Sequence, residues 1–283
     1  MKKTYPREVF LNGAWLPSER AMVSVFDRGF LFGDGIYEVI PFYRRSPFLL
    51  AAHLQRLQDG LKAVGMPYEV GQLQPSVEDA ISRAGFDDGI VYIQVTRGAA
   101  PRTHYFPEGA VPTVLLYTSP FVFAGFEQRF VDTVLGPDFR WQRCNIKSIS
   151  LMGNVLANNA AHDMGVAEYL FEREGKITEG SHTSVFFVHE GTLRTHPAGP
   201  YILPGITRAE ILAIANELGI PTREEALDVS ELPAVSEAFL TGTTMQVTAI
   251  GKIRNGGQEQ VIGTAAGPVT QRIQEIFIKR TGA

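Results

Sequence analysis

The sequence predicts a mixed α/β (α+β) protein of two domains, and two observations carry that prediction. Strand-like and helix-like segments alternate over roughly the first 120 residues, whereas short hairpins dominate the rest. No regular βαβ repeat is present, and neither GxGxxG nor GxxxxGK[ST] occurs, which disfavours a doubly wound nucleotide-binding sheet. We therefore expect a small N-terminal α/β domain over 1–120, a linker over 121–127 and a large, β-rich C-terminal domain over 128–283.

Short patterns predict the elements of the N-terminal half. Asn12–Gly13, between two apolar runs, is typical of a hairpin turn. Apolar residues from Leu50 to Val64 recur at helical spacing and predict a helix that ends near Gly65. Strands are predicted for the segments GIYEVIPFY, SPFLL, GIVYIQVTRG and PTVLLYTSPF.

The C-terminal half begins with two strand-like segments, RFVDTVLG and FRWQRCNIKSI, before a helix over about 150–164. Hairpins are predicted to turn at Glu174–Gly175 and Glu190–Gly191. Thr207 and Glu210 have the spacing of a capping box and predict the start of a helix. EAFLTGTTMQVTAIGKI predicts two strands separated by a Gly-Thr-Thr interruption, and VTQRIQEIFIKRTG predicts a closing amphipathic helix.

Composition excludes several classes of protein. The net charge is -4 and no basic block is interleaved with aromatic residues, so no nucleic-acid partner is expected. No apolar run approaches the ~18 residues of a membrane span, and the start of the chain lacks the apolar segment of a signal peptide. The single cysteine, Cys144, excludes an internal disulfide and agrees with a cytoplasmic location. The six histidines lack metal-ligand spacing, so no metal is expected.

Four features suggest chemistry, although each has a simpler explanation alone. Lys147 is most simply a solvated lysine, and Glu179 an acidic residue at a strand end. LPGITR places backbone N–H groups at a helix N-terminus, and TGTT provides further N–H and hydroxyl donors or merely a tight bend. Together, an amine, a carboxylate, an arginine and two anion-binding segments are what pyridoxal phosphate requires.

Several longer segments carry a resemblance to a known family. The chain resembles the class IV (fold type IV) pyridoxal-phosphate-dependent aminotransferases, and within them it is most similar to the D-amino acid aminotransferases. The similarity extends over nearly the whole chain and keeps the family's order of motifs. The segments that carry it are DRGFLFGDGIYEV, HLQRL, VTRGAAPRTHYFP, RWQRCNIKSISLMGNVLA, EGSHTS, THPAGPYILPGITR and LTGTTMQVTAI.

The resemblance implies a cofactor, pyridoxal 5'-phosphate, bound between two domains, the second of which is a β-rich pseudo-barrel. Lys147 would be the catalytic Schiff-base lysine, and Glu179 would pair with the pyridine nitrogen. Without the resemblance, Arg56 reads as a charged residue on the polar face of a helix. By the resemblance, the phosphate would be bound by Arg56, Ile206, Thr207 and Thr243.

The resemblance also implies a substrate and an assembly. Tyr37, Arg102 and His104 match the residues that bind the substrate carboxylate in D-amino acid aminotransferases, and Arg97 begins the same loop. Taken alone, Arg102 and His104 are a solvated loop between prolines. In the family this loop reaches the neighbouring subunit's active site, which implies a homodimer with shared active sites. The implied reaction is transamination between D-amino acids such as D-alanine or D-glutamate and 2-oxo acids such as pyruvate or 2-oxoglutarate.

Two positions depart from the family pattern, and three other functions remain open. Ser184 stands where the family usually has Asn, and His182 where it commonly has a small residue. A histidine at that position would lie near the cofactor's rim, although we expect it to face solvent. The alternatives are a branched-chain L-amino acid aminotransferase, an aminodeoxychorismate lyase-like enzyme that uses the same lysine, and a pyridoxal-phosphate-binding protein without turnover.

Overall fold

The computed structural model describes residues 5–282, so part of the N-terminal start and Ala283 lie outside it. The chain divides into two compact units, Met1–Val122 with Ile146–Leu151, and Phe123–Asn145 with Met152–Ala283. The sequence assigned every residue after the linker to the second domain, whereas the structure assigns the segment of Lys147 to the first unit. Both units mix helices and strands, which confirms the α/β (α+β) class.

The first unit contains an antiparallel six-stranded sheet in the order β2-β1-β6-β5-β3-β4. The turn at Asn12–Gly13 joins its first two strands, as the sequence predicted. SPFLL was predicted as a strand, but only its first two residues pair, because Leu49 adopts a left-handed conformation and a helix begins at Leu50. The elements are β1 (Glu8–Leu11), β2 (Ala14–Pro17), α1 (Arg28–Phe32), β3 (Gly35–Tyr43), β4 (Ser46–Pro47), α2 (Leu50–Ala63), α3 (Gln74–Arg83), β5 (Gly89–Thr96) and β6 (Thr113–Pro120).

The two faces of β3 have different surroundings. Ile36, Ile40 and Phe42 are buried in one core with Leu57 and Leu61 of α2. Successive side chains of a strand point to opposite faces, so Tyr37 lies on the face away from this core. The strand therefore places residues of the predicted substrate site on the face opposite its apolar core.

The second unit contains a mixed ten-stranded sheet in the order β12-β11-β10-β14-β15-β7-β8-β9-β13, with β16 paired to β15. Its predicted hairpins at Glu174–Gly175 and Glu190–Gly191 are confirmed. The elements are β7 (Phe130–Pro137), α4 (Met152–Asp163), β8 (Glu168–Arg173), β9 (Lys176–Gly180), β10 (Ser184–His189), β11 (Thr192–Thr195), α5 (Ile206–Glu217), β12 (Thr222–Glu224), β13 (Leu227–Asp228), β14 (Val235–Gly242), β15 (Gln246–Asn255), β16 (Gln258–Val261) and α6 (Pro268–Thr281).

Two local predictions in this half were wrong. FRWQRCNIKSI forms no strand, because its pairing with β3 amounts to one isolated bridge between Ser148 and Ile36. Earlier in the segment, the Cys144 N–H donates to the Pro200 carbonyl instead of to a strand. Helix α5 begins at Ile206 with Gly205 as its N-cap, so Thr207 lies inside the first turn and forms no capping box. Glu210 instead accepts a hydrogen bond from Arg280 at 2.5 Å. Within residues 5–282, no helix is long and apolar enough to cross a membrane.

Candidate active site

Lys147 lies beside strand β3 in the first unit. The Tyr37 N–H donates to the Lys147 carbonyl at 3.0 Å, and the Ile149 N–H donates to the Gly35 carbonyl at 3.0 Å. These bonds fix the lysine backbone at the edge of the strand. The Lys147 Nζ lies 4.3 Å from the centroid of the Tyr37 ring, a cation–π distance. The structure thus brings together two of the residues that the sequence singled out.

Arg56 is engaged by a buried carboxylate on the core face of β3. Its Nε and Nη2 donate to the two oxygens of Glu38 at 2.6 and 2.9 Å, a bidentate pair. His53 donates from Nδ1 to the same carboxylate at 2.8 Å. Burial alone would raise the pKa of Glu38, but the charge of Arg56 and the hydrogen bonds from His53 and Arg56 lower it to about 2. Glu38 therefore holds the Arg56 guanidinium in one orientation.

Arg102 and His104 lie in the loop of residues 98–112, which we name the Arg102 loop. The Arg102 Cζ lies 5.0 Å from the centroid of the Phe32 ring. The centroid of the His104 ring lies 5.7 Å from the same Phe32 centroid. Phe32 therefore brings the two predicted carboxylate-binding residues together. Within residues 5–282, no hydrogen bond, ion pair or ring contact joins either of them to Lys147.

Glu179 lies on β9 in the interior of the second unit. Its carboxylate accepts from Arg140 Nη1 at 2.7 Å and from the Leu203 N–H at 3.0 Å. Arg140 also donates to both oxygens of the buried Asp138, at 2.9 and 3.0 Å. Burial outweighs the attraction of Arg140 and raises the pKa of Glu179 to about 7. A carboxylate of that basicity is suited to pairing with a protonated ring nitrogen.

The N-terminus of α5 provides an anion-binding geometry in the second unit. No side chain caps the first turn of α5, where Ile206 and Thr207 lie. A Cβ on Gly205 would lie 2.9 Å from Ser184 Oγ, so the backbone and this hydroxyl approach closely. Ser184 pairs directly with Thr241 on β14, and the buried Thr241 Oγ1 has no hydrogen-bond partner among the described residues. Thr243 follows the end of β14.

His182 is the second departure from the family pattern, beside Ser184, and it contacts a buried carboxylate. His182 is exposed, as expected, but its Nδ1 also lies 3.0 Å from the fully buried Glu168 carboxylate. The hydroxyls of Ser181 and Thr183 also donate to Glu168. Burial raises the pKa of Glu168, but the hydrogen bond and charge of His182, together with the hydrogen bonds from Ser181 and Thr183, outweigh this effect and lower it.

Sequence reasoning missed Arg140, Glu38 and Thr241. Arg140 and Arg143 occur in the same short segment, and nothing local distinguishes the one that contacts Glu179. Glu38 follows Tyr37 in a strand and reads as a solvated acid. The only sign in the sequence that Glu38 is buried was strand alternation, which puts Glu38 on the same face as Ile36 and Ile40. Thr241 was visible only as part of the TGTT segment.

The comparisons with known proteins agree on one family. A sequence model described as amino-transferase class IV matches residues 35–253. D-alanine aminotransferase of Staphylococcus aureus is 36% identical over 277 residues, covering 96% of this chain and 97% of the relative. D-alanine aminotransferase of Bacillus licheniformis is 35% identical over 271 residues, with 94% of each covered.

Solved structures agree with that assignment. The branched-chain amino acid aminotransferase of Escherichia coli matches with a TM-score of 0.88 at 26% identity, over 97% of this chain and 94% of that one. The branched-chain aminotransferase of Thermoproteus uzoniensis matches with a TM-score of 0.86 at 28% identity, over 98% and 96%. The chain belongs to the class IV aminotransferases, which are pyridoxal-phosphate enzymes, and the expected fold class and enzyme class are confirmed.

The donor set of this chain fits that cofactor. The uncapped N-terminus of α5 and the buried Thr241 hydroxyl, which has no partner among the described residues, provide donors for the oxygens of a phosphate. The buried Glu179 matches the nitrogen of a protonated pyridine ring. Lys147 supplies a primary amine for an aldehyde. The chain therefore contains a partner for each polar part of pyridoxal phosphate.

Proposed function

We propose that the protein transaminates D-amino acids, with D-alanine and D-glutamate as amino donors and pyruvate and 2-oxoglutarate as acceptors. The observation that carries the proposal is the placement of Arg102 and His104 on one aromatic ring, as a guanidinium and imidazole pair suited to a carboxylate. The relatives named D-alanine aminotransferase, at 35–36% identity, support the same substrate class.

Each predicted residue has a role in this proposal. When bound, pyridoxal phosphate supplies an aldehyde for the substrate amine and a protonated ring that withdraws electrons from the Cα–H bond. Lys147 would hold the cofactor covalently through Nζ until the substrate amine displaces it. The freed amine would then take the Cα proton as general base and, as general acid, deliver it to the carbon that had carried the aldehyde. Glu179 keeps the ring nitrogen protonated. The phosphate is bound by Arg56, Ile206, Thr207 and Thr243.

Substrate orientation is assigned to Tyr37, Arg102 and His104. A guanidinium binds a carboxylate through two parallel N–H bonds, and the phenol and imidazole add directional donors. Holding the carboxylate in one place fixes whether the single Cα–H bond of an enantiomer points towards the Lys147 Nζ. That geometry selects one enantiomer and leaves the side chain to vary.

We also propose that the protein is a cytoplasmic homodimer with shared active sites. Large apolar side chains are exposed on the Arg102 loop and on neighbouring α1, including Val111 at 78% and Phe30 at 76%. Contiguous exposed apolar surface is typical of a protein interface. Met152, Val155 and Leu156 of α4 are exposed in the same way. The buried single cysteine agrees with a reducing compartment.

A spectroscopic titration tests the reaction. D-alanine, L-alanine and an L-branched-chain amino acid are added separately to the purified holoenzyme, and conversion of the bound cofactor to its amine form is followed by absorbance. We expect conversion with D-alanine. Lys147→Ala should abolish covalent attachment, whereas Lys176→Ala, at an exposed lysine that pairs with Asp228, should behave as the native protein.

A branched-chain L-aminotransferase is the second candidate, favoured by the TM-score of 0.88 to the Escherichia coli enzyme. The same titration separates the two functions. Conversion by L-branched-chain amino acids alone would exclude the D-specific function and support this alternative. Sedimentation or light scattering tests the dimer, and a monomer that retains full activity would contradict shared active sites.

A further inference from the structure

We propose that Arg28 and Phe32 are positioning residues that hold the Arg102 loop in its carboxylate-binding conformation. This inference rests on the proposed function, because it concerns how Arg102 and His104 are presented to the substrate. All the contacts that carry it lie within the first unit. These contacts hold the loop at its two ends and in its middle. A further contact, with the Phe32 ring, supports the side chains of Arg102 and His104.

Asp27, the N-cap of α1, fixes both ends of the loop. Its buried carboxylate accepts from Thr96 Oγ1 at 3.0 Å and from Thr113 Oγ1 at 2.6 Å, the residues at the two strand ends that flank the loop. Gly98 has φ +88°, and a Cβ there would overlap the Val111 carbonyl. The loop therefore leaves and returns to the sheet through one closely packed junction.

Arg28 fixes the middle of the loop. Its Nη1 donates to the Thr103 carbonyl at 2.6 Å, and Thr103 lies between Arg102 and His104 in sequence. Its Nε donates to Asp34 at 2.7 Å, which fixes the direction of the guanidinium. Arg28 is buried, so both bonds are shielded from competing water. One side chain thus anchors the residue between the two predicted carboxylate-binding residues.

Phe32 supports both of those side chains from the other end of α1. The Arg28 Cζ lies 4.7 Å and the Arg102 Cζ 5.0 Å from its ring centroid, and the His104 ring is at 5.7 Å. Cation–π contacts at these distances are attractive and restrict the rotamers of a long side chain. The ring therefore limits how far Arg102 and His104 can separate.

Arg97 strengthens the same network at the base of the loop. It donates to Asp34 at 2.8 Å, so Asp34 binds two buried guanidinium groups. Its Nη atoms donate to the carbonyls of Val64 and Gly65, at the end of α2. Its Cζ lies 3.6 Å from the ring centroid of Phe106, which belongs to the loop. The network thus ties the loop to an ordered helix of the same unit.

The functional consequence follows from conformational entropy. A loop of 15 residues with no regular strand or helix would lose freedom on binding a carboxylate unless it is already ordered. The contacts of Arg28 and Phe32 provide that order before substrate binds. Their loss should weaken binding of every substrate that carries the α-carboxylate, and should leave cofactor binding and the chemistry at Cα much less affected.

Kinetics of the holoenzyme test this inference. We expect Arg28→Gln and Phe32→Leu to raise KM for D-alanine and for pyruvate together, roughly 5- to 50-fold, with kcat changed less than KM. The Kd of pyridoxal phosphate should stay near the native value. Arg83→Gln is the matched control, because Arg83 also lies over an aromatic ring, that of Trp15 at 5.0 Å, away from the loop.

A double-mutant cycle separates this inference from the proposed function. If Arg102 acts through its position, Arg28→Gln should raise KM in the native background and add little in an Arg102→Ala background. If Arg102→Ala raises KM and Arg28→Gln does not, the positioning role is wrong while the proposed function stands. If Arg102→Ala leaves KM unchanged, the carboxylate-binding role in the proposed function is wrong.

Hydrogen exchange of residues 98–112 gives a readout that does not depend on activity. Faster exchange in Arg28→Gln than in Arg83→Gln supports the role of Arg28, and equal exchange in both variants overturns it. Should Arg28→Gln fail to fold, Arg28→Lys replaces it, since a lysine cannot bond Asp34 and the Thr103 carbonyl with the same fork of donors. The same exchange measurement then decides the outcome.

Discussion

The Arg140 guanidinium donates to Glu179 at 2.7 Å and, through its other nitrogens, to both oxygens of Asp138. One cation is therefore shared by two buried carboxylates. Sharing weakens the charge that each carboxylate experiences, and burial then keeps the pKa of Glu179 at about 7. The pair leaves Glu179 oriented and basic, which is what a partner of a pyridine nitrogen requires.

Glu179→Gln should reduce kcat roughly 100-fold, because an amide of the same size cannot stabilise the positive charge of a protonated ring nitrogen. Covalent attachment through Lys147 should persist, so the cofactor absorbance should remain. Single-turnover absorbance with D-alanine measures the effect. Glu210→Gln, at a half-buried pair with Arg280, is the control, and native kcat in the Glu179 variant would contradict the role.

Glu179 should also make the stability of the cofactor-free protein depend on pH. Its pKa is raised from an ordinary 4.5 to about 7, so between these values the folded state binds a proton that the unfolded state has lost. The contribution of Glu179 to the free energy of unfolding should then be largest below about pH 4.5. It should fall by roughly 3 kcal/mol as pH rises through 7. Urea unfolding across this range measures the slope. Glu179→Gln should flatten it.

Glu38 predicts the opposite dependence at acid pH. Its pKa is lowered to about 2, so its contribution is complete above about pH 4.5 and is lost as pH falls towards 2, by roughly 3 kcal/mol. Glu38→Gln should remove this acid-side loss. At pH 7 the same variant should be destabilised by about 3 kcal/mol, because Arg56 loses its buried partner. Thermal unfolding at several pH values checks both effects.

Thr241→Val should weaken cofactor binding without harming the empty protein. The Thr241 hydroxyl is buried and has no partner among the described residues, so its removal should leave apoprotein stability unchanged or slightly raised. If the hydroxyl donates to the phosphate, the Kd of pyridoxal phosphate should rise roughly 10-fold.

Thr248→Val is the matched control for that variant. Thr248 is also buried, but its hydroxyl already donates to the Met245 carbonyl at 2.6 Å. This control should lose about 1 kcal/mol of stability and keep native cofactor affinity. Equal cofactor affinity in both variants would show that Thr241 does not contact the phosphate.

Glu237 should contribute to stability alone. Its carboxylate accepts from the N–H groups of Val269 and Thr270, at 3.1 and 2.8 Å, in the first turn of α6. Glu237→Ala should lower the free energy of unfolding by about 1–2 kcal/mol, the cost of losing a helix N-terminal partner. Urea unfolding measures this loss, and Glu259→Ala, at an exposed residue of β16, is the control. A native kcat in Glu237→Ala at low temperature would agree with a purely structural role.

Local sequence predicted the elements whose signals are themselves local. The hairpins at Asn12–Gly13, Glu174–Gly175 and Glu190–Gly191 each have a glycine at positive φ in the turn, and the structure has them where the sequence predicted. The helical spacing from Leu50 likewise predicted α2 almost to its end. The strand predicted for FRWQRCNIKSI is absent, because a local signal such as β-propensity does not reveal how many residues can pair with a neighbouring strand.

The family was readable from the sequence by resemblance, since motifs in a fixed order extend along nearly the whole chain, and the same resemblance predicted the site residues. Only the tertiary structure decided which groups hold those residues. Arg140 and Glu179 are 39 positions apart, and Arg28 and Thr103 are 75 apart. Such pairs depend on where the chain returns to itself. The sequence therefore determined which chemical groups are present, and folding determined how each one is charged, oriented and supported.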